Sequence, residues 1–175
     1  DLCLVGSEMC IRDRDCSDDP LFVELVEALH KLNPSANSAY YLGLLNDKKG
    51  NSKMAIEYYT ESINLESNNL KKAKTLYKIA IKFKKSGQYS KSRSYANKAL
   101  KYQPSLGSAY LLISNLYAAS ANNCGNTQFE KRAIYWLAAK EAKKAASVDA
   151  SVRKIANKTA VSYTGRAPSK TDIFT

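Results

Sequence analysis

Apolar residues recur at intervals of three, four and seven along most of this chain, the spacing of one helical face and not the alternation of a strand. The pattern is sharpest over Ala73–Ser105. Leu76, Ile79, Ala80 and Phe83 fall on one stripe, and Ser92, Ala96, Ala99 and Leu100 on a second. Gly87 separates the two stripes and Pro104 follows the second. Small residues at facing positions let two helices lie close together, so this stretch predicts a helical hairpin with a tight seam.

The arrangement recurs, and self-similarity at a fixed period marks a stacked-repeat protein. Residues 36–69 carry Leu42-Gly43, Gly50, Ala55-Ile56, Tyr59 and Ile63. Gly50 and Gly87 stand slightly further apart than the ~34-residue period of such arrays, which places a small insertion around Asn68–Lys72. A third copy, residues 107–150, carries Tyr110, Ile113, Ser114 and Tyr117, then a turn stretched through Ala121–Gln128, then Ala138, Ala142, Ala145 and Ala146. A half copy, residues 20–34, comes first and ends in Asn33-Pro34.

Capping residues set the expected helix limits. Asp18-Asp19-Pro20 opens the first helix, whose buried face is Phe22, Leu25, Val26 and Leu29. Ser35 caps a helix reaching Lys48, and Asn51 caps one reaching Glu66. Further helices are expected over Leu70–Ser86, Tyr89–Tyr102 and Ser105–Ser120. Thr127 and Glu130 form a capping box for a helix over Phe129–Val148, in which Trp136 is expected in the core. A last helix over Val152–Tyr163 buries Ile155, Ala156, Thr159 and Ala160.

Residues 73–106 resemble a tetratricopeptide repeat. The eight consensus positions of that family fall on Leu76, Ile79, Ala80, Phe83, Ser92, Ala96, Ala99 and Pro104. Ser92 and Ala96 replace the usual alanine and large aromatic, which predicts a slightly looser seam. The resemblance implies an all-α, right-handed α-solenoid of tetratricopeptide hairpins over residues 15–164. It comprises the half repeat 20–34, repeats at 36–69, 73–106 and 107–150, and a capping helix at 152–163. Residues 165–175 are expected to be an irregular tail, cut before the true end.

Residues 1–14 lack the periodicity. Leu4–Asp13 reads as a translated sequencing adapter, so this segment is expected to be a non-native leader. Setting it aside removes Cys3 and Cys10 and leaves Cys16 and Cys124. Lys and Arg number 27 against 16 Asp and Glu, a net charge of +11. That excess admits acidic proteins, nucleic acid or an anionic surface as partners. No apolar run approaches the ~20 residues that span a bilayer. With a single histidine, His30, a His-based metal site is excluded. There is no Gly-rich phosphate loop, GxSxG, HExxH or CxxC. The sequence therefore predicts a non-enzyme with no catalytic, cofactor or metal site.

In tetratricopeptide arrays the first helix of each repeat lines the concave face. The resemblance places Asn37, Tyr40, Leu44 and Lys48 there in the first repeat, and Lys74, Tyr77, Ile81, Lys84 and Lys85 in the second. The third contributes Ser108, Leu111, Asn115 and Ala119. This mixture of aromatic, apolar and basic groups suits an extended or helical peptide with an acidic flank. Chaperone-binding members clamp a C-terminal carboxylate with Lys and Asn where Tyr40 and Leu44 stand, so that specificity is not expected. The implied function is a protein-interaction scaffold. Binding of nucleic acid or another polyanion through the basic faces is the alternative, separable by its steeper salt dependence. Asn123–Ala146 and the tail resemble a tetratricopeptide group of Bacteroidota whose members look like cell-envelope proteins; this leaves the location open and favours the envelope or periplasm over the cytoplasm.

Overall fold

The computed structural model describes residues 20–169 and Asp172. The adapter-like leader, Cys16, Asp18-Asp19, Ile173 and Phe174 lie outside the described residues. Eight α-helices and no strand occur among them, so the fold is all-α and of the helical-repeat class expected. The chain divides into two compact units, residues 1–66 and 67–175.

The first unit holds α1 (Pro20–Leu32), α2 (Ala36–Lys48) and α3 (Ser52–Leu65). Ser35 caps α2 as its sequence predicts. Its hydroxyl accepts the Ser38 N–H at 3.1 Å, and the Ser38 hydroxyl accepts the Ser35 N–H at 3.0 Å, a capping box with serine in both roles. Asn51 occupies the N-cap of α3 but makes no side-chain cap bond. Gly50 turns between the helices at φ +79°. At the seam, Gly43 lies against the fully buried ring of Tyr59; a Cβ there would stand 2.6 Å from two ring carbons. The Ser62 hydroxyl crosses the same seam and donates to the Ala36 carbonyl at 2.8 Å. Val26, Leu42 and Leu45 form the core, with Phe22, Tyr41 and Tyr58 at its margin. The buried face of α1 is narrower than expected. Val26 is buried, but Leu25 and Leu29 are 57% and 52% exposed; Phe22, Val23 and Val26 carry the contact of α1 with the core.

The second unit begins with α4 (Asn69–Lys85) and α5 (Tyr89–Tyr102). Asn68 caps α4 by accepting the N–H groups of Leu70 and Lys71. The extra residues implied by the long repeat interval therefore form the first turn of α4 and not a loop. Gly87 provides the turn at φ +73°. Ser92 does not loosen the α4–α5 seam. It is fully buried, and its hydroxyl donates to the Ala80 carbonyl at 2.7 Å, so its polarity is satisfied where it stands.

α6 (Gly107–Ala119) and α7 (Gln128–Val148) form the next hairpin, joined through a 3₁₀ turn at Ala121–Asn123. Their seam carries the mirror arrangement: Ser114 on the first helix donates to the Ala138 carbonyl at 2.6 Å. Thr127 and Glu130 form the predicted capping box. The inner face of α7 consists of Ala138, Ala139, Ala142, Ala145 and Ala146. Trp136 is not in the core. It is 41% exposed beside Phe129, ring centroids 6.0 Å apart, because it lies off the face of α7 that carries the alanine stripe.

α8 (Arg153–Arg166) follows a 3₁₀ turn at Ala150–Val152 and packs on α7. Ala156 and Ala160 are buried, whereas Ile155, expected with them, is 59% exposed. The Asp149 carboxylate accepts the N–H groups of Ser151 and Gly107, joining this turn to the start of α6. A Cβ on Gly107 would stand 2.5 Å from both Asp149 Cβ and Val152 Cγ2. α8 runs three residues past its expected end, through Gly165. One glycine costs a helix about 1 kcal/mol, too little to stop it; Pro168 does so. Ala167 and Pro168 then fold inward and are buried. The Arg132 guanidinium donates to the carbonyls of Arg166 and Ala167 at 3.2 and 3.1 Å, and pairs with Asp172 at 3.4 Å. The start of the tail, without regular secondary structure after Arg166, is thus packed against α7.

Candidate partner-binding face

The first helices of successive hairpins present the residues singled out in the sequence. In the second unit, Tyr77 and Ile81 on α4 are half-buried against Ala80, Leu112 and Ile113. Ser108 on α6 lies near the Tyr77 phenol. Burial pushes this phenol up, and the nearby Ser108 side chain opposes this. Lys74, Lys84 and Lys85 are exposed on the same helix. Leu111 is half-buried beside Tyr110 and Ala145, and Ala119 is exposed. Asn115 accepts a 2.8 Å hydrogen bond from the Tyr163 hydroxyl of α8. Burial pushes the Tyr163 phenol up against the opposing charge of Arg166.

The Asn115–Tyr163 bond links α6 to α8, and Tyr77 and Ile81 of α4 pack against Leu112 and Ile113 of α6. In this series α8 occupies the place of a first helix. Its buried Ala156 and Ala160 stand at the same spacing as Tyr110 and Ser114 in α6. By that register Lys154 corresponds to Ser108, and Val161, 75% exposed, to Asn115. The sequence reading did not place α8 in this series because it took α8 only as a cap. The repeated spacing of small buried residues was the available signal.

In the first unit, Tyr40 is half-buried, its ring 6.1 Å from that of Tyr41 and 5.7 Å from that of Tyr59. Leu44 is half-buried, and Asn37 and Lys48 are exposed. Burial, with the Asp47 carboxylate nearby, pushes the Tyr59 phenol well up. His30 lies between three helices of this unit, with Nδ1 2.9 Å from Ser38 Oγ and Nε2 3.3 Å from Glu61. Such partners give it a packing role. Cys124 is half-buried, its Sγ 3.9 Å from Ser120 Oγ. Among the described residues no group of three metal-ligating side chains occurs, and no helix is long and apolar enough to cross a membrane.

Hairpins with small-residue seams, which in the second unit are stacked so that first helix follows first helix, define a helical-repeat protein of the tetratricopeptide type. No family model matches the chain. It is 30% identical over 137 residues to photosystem I assembly protein Ycf3 of Prochlorococcus marinus strain MIT 9301, covering 74% of this chain and 79% of that protein. The Ycf3 of strain MIT 9312 gives the same values. That of strain MED4 is 30% identical over 112 residues, 61% of this chain and 65% of the relative. The chain belongs to the family of these Ycf3 proteins.

Proposed function

We propose that this protein is a scaffold which holds a peptide or partner segment on the face formed by its first helices, and so serves the assembly of a protein complex. The observation that supports this reading is the composition of that face on α4 and α6. The seams of these hairpins consume their small and aliphatic residues. Half-covered Tyr77, Ile81 and Leu111 remain on the other side, edged by exposed Lys74, Lys84 and Lys85. Aromatic and aliphatic anchors flanked by charge suit peptide recognition. The name of the relatives, assembly proteins, agrees with a role in bringing polypeptides together. The Bacteroidota-like features of residues 123–146 are compatible with the same scaffold role in another lineage.

The test is site-specific photocrosslinking in cells of the source organism, with the crosslinker at Leu111 or, as a control, at Lys101 on α5. A partner crosslinked at Leu111 and not at Lys101 is the expected result. Crosslinking at Lys101 alone would move the binding site away from this face. Polyanion binding is the second reading, favoured by the basic charge. Loss of affinity with salt would then be steep, following the number of phosphate contacts.

A further inference from the structure

The basic charge is not spread over the molecule. Residues 67–129 contain eleven Lys or Arg and no Asp or Glu, which accounts for the whole net charge of +11. These cations all lie on α4 and α5, because α6 carries no charged side chain over its full length. Several are already seated on rings. Lys91 lies over Phe83 at 5.4 Å and Lys98 over Tyr95 at 4.8 Å. Arg93 lies over Tyr117 at 5.1 Å and Lys72 over Tyr102 at 5.5 Å. The second unit thus sets the cationic edge of α4 directly beside the neutral, apolar α6.

From this juxtaposition, and resting on the scaffold reading above, we infer that the partner segment is an acidic polypeptide carrying an apolar anchor. Its carboxylates meet Lys74, Lys84 and Lys85 on α4, and its anchor lies over Leu111 and reaches toward Val161 on α8. Complementary charge steers encounter and rejects basic competitors, while the buried apolar contact contributes most of the affinity. A nucleic acid suits the site less well. Its bases need open aromatic faces to stack on, and most rings of this tract are half-buried in the core or beneath cations, while the exposed Tyr102 ring is covered by Lys72. The middle of the face, on α6, offers no charge to a phosphate chain.

The experiment measures binding of the full chain to four fluorescent probes of equal length. They are a Glu-rich peptide with a leucine pair, its Glu→Gln counterpart, the Glu-rich peptide without leucine, and a single-stranded oligonucleotide. The leucine-bearing acidic peptide is expected to bind about tenfold or more tightly than either altered peptide. Lys84→Glu with Lys85→Glu should remove the advantage of Glu over Gln. Val161→Asp should remove the advantage of leucine, and its high exposure keeps the fold intact. Lys98→Glu with Lys101→Glu on α5 should change affinity by less than about twofold. Equal binding of the Gln peptide would overturn the acidic partner, as would tighter binding of the oligonucleotide or an equal loss in the α5 variant. Failure of every peptide would overturn it too, yet leave the scaffold standing if a partner still crosslinks at Leu111. Loss of that crosslink would remove the scaffold reading itself.

Discussion

The α4–α5 and α6–α7 hairpins close the same kind of seam with the hydroxyl on opposite helices. In the first, Ser92 of the second helix donates to Ala80; in the other, Ser114 of the first helix donates to Ala138. Both serines are fully buried, and both acceptors are carbonyls already inside a helix. A carbonyl has two lone pairs, so it can accept this extra bond without giving up its helical one. The difference teaches that the crossing point needs one alanine, one serine and contact distance, and not a particular order. The two hairpins differ more in their openings. α5 starts at Gln88 with no side-chain cap bond, whereas α7 starts with a complete capping box.

The harshest way to break the comparison is overpacking. Ala99 and Ala145 are both fully buried at corresponding seam positions. Ala99→Trp and Ala145→Trp should each lower stability by about 3 kcal/mol, the upper part of the range for overpacked cores. Urea midpoints check this, and a tolerated Ala145→Trp would show that the third hairpin is the looser one. A milder intervention addresses the serines. Ser92→Ala and Ser114→Ala should each cost about 1 kcal/mol, the net contribution of an ordinary hydrogen bond. The double exchange Ala80→Ser with Ser92→Ala rewrites one hairpin in the manner of the other. It should recover to within about 0.5 kcal/mol of wild type; no recovery would mean that direction matters.

The smallest effect concerns pH and separates the openings. The Glu130 carboxylate accepts the N–H groups of Thr127 and Asn126, which hold its pKa below the ordinary value of 4.5. A depressed folded pKa stabilises above the unfolded value, and the stabilisation fades as pH falls through the folded one. Wild type should therefore exceed Glu130→Gln in Tm at neutral pH and converge with it in acid below the ordinary glutamate range. No such convergence is expected for Gln88→Ala, since α5 has no carboxylate at its start.

Much of this was legible in the sequence, though not all. Periodicity located every described helix, and Thr127-x-x-Glu130 and Ser35 marked their starts correctly. Trp136 was expected in the core, but the fully buried stretch of α7 is its alanine stripe, and Trp136 lies outside it. The departure of Ser92 and Ala96 from the consensus residues predicted a looser seam, but gave no sign that the Ser92 hydroxyl finds the Ala80 carbonyl within reach. Gly165 gave no warning that α8 continues, since one glycine is a modest cost and the stop lies at Pro168. On the candidate face, the lysines and Tyr77 could be assigned to their helix from spacing. The Asn115–Tyr163 bond joins residues 48 apart and carries no local signal.

The stretched turn at Ala121–Gln128 has a consequence for how fast each hairpin forms. The seam bond of α4–α5 joins residues 12 apart, and that of α6–α7 residues 24 apart. Doubling the loop adds about 0.6 kcal/mol to the entropic barrier of closure, and contacts local in sequence form earlier. Nucleation should accordingly begin in α4–α5 and spread to α6–α7. Ala96→Gly should then slow refolding, whereas Ala142→Gly should chiefly hasten unfolding. Chevron plots of the two variants test the order, and a refolding limb slowed by Ala142→Gly alone would reverse it.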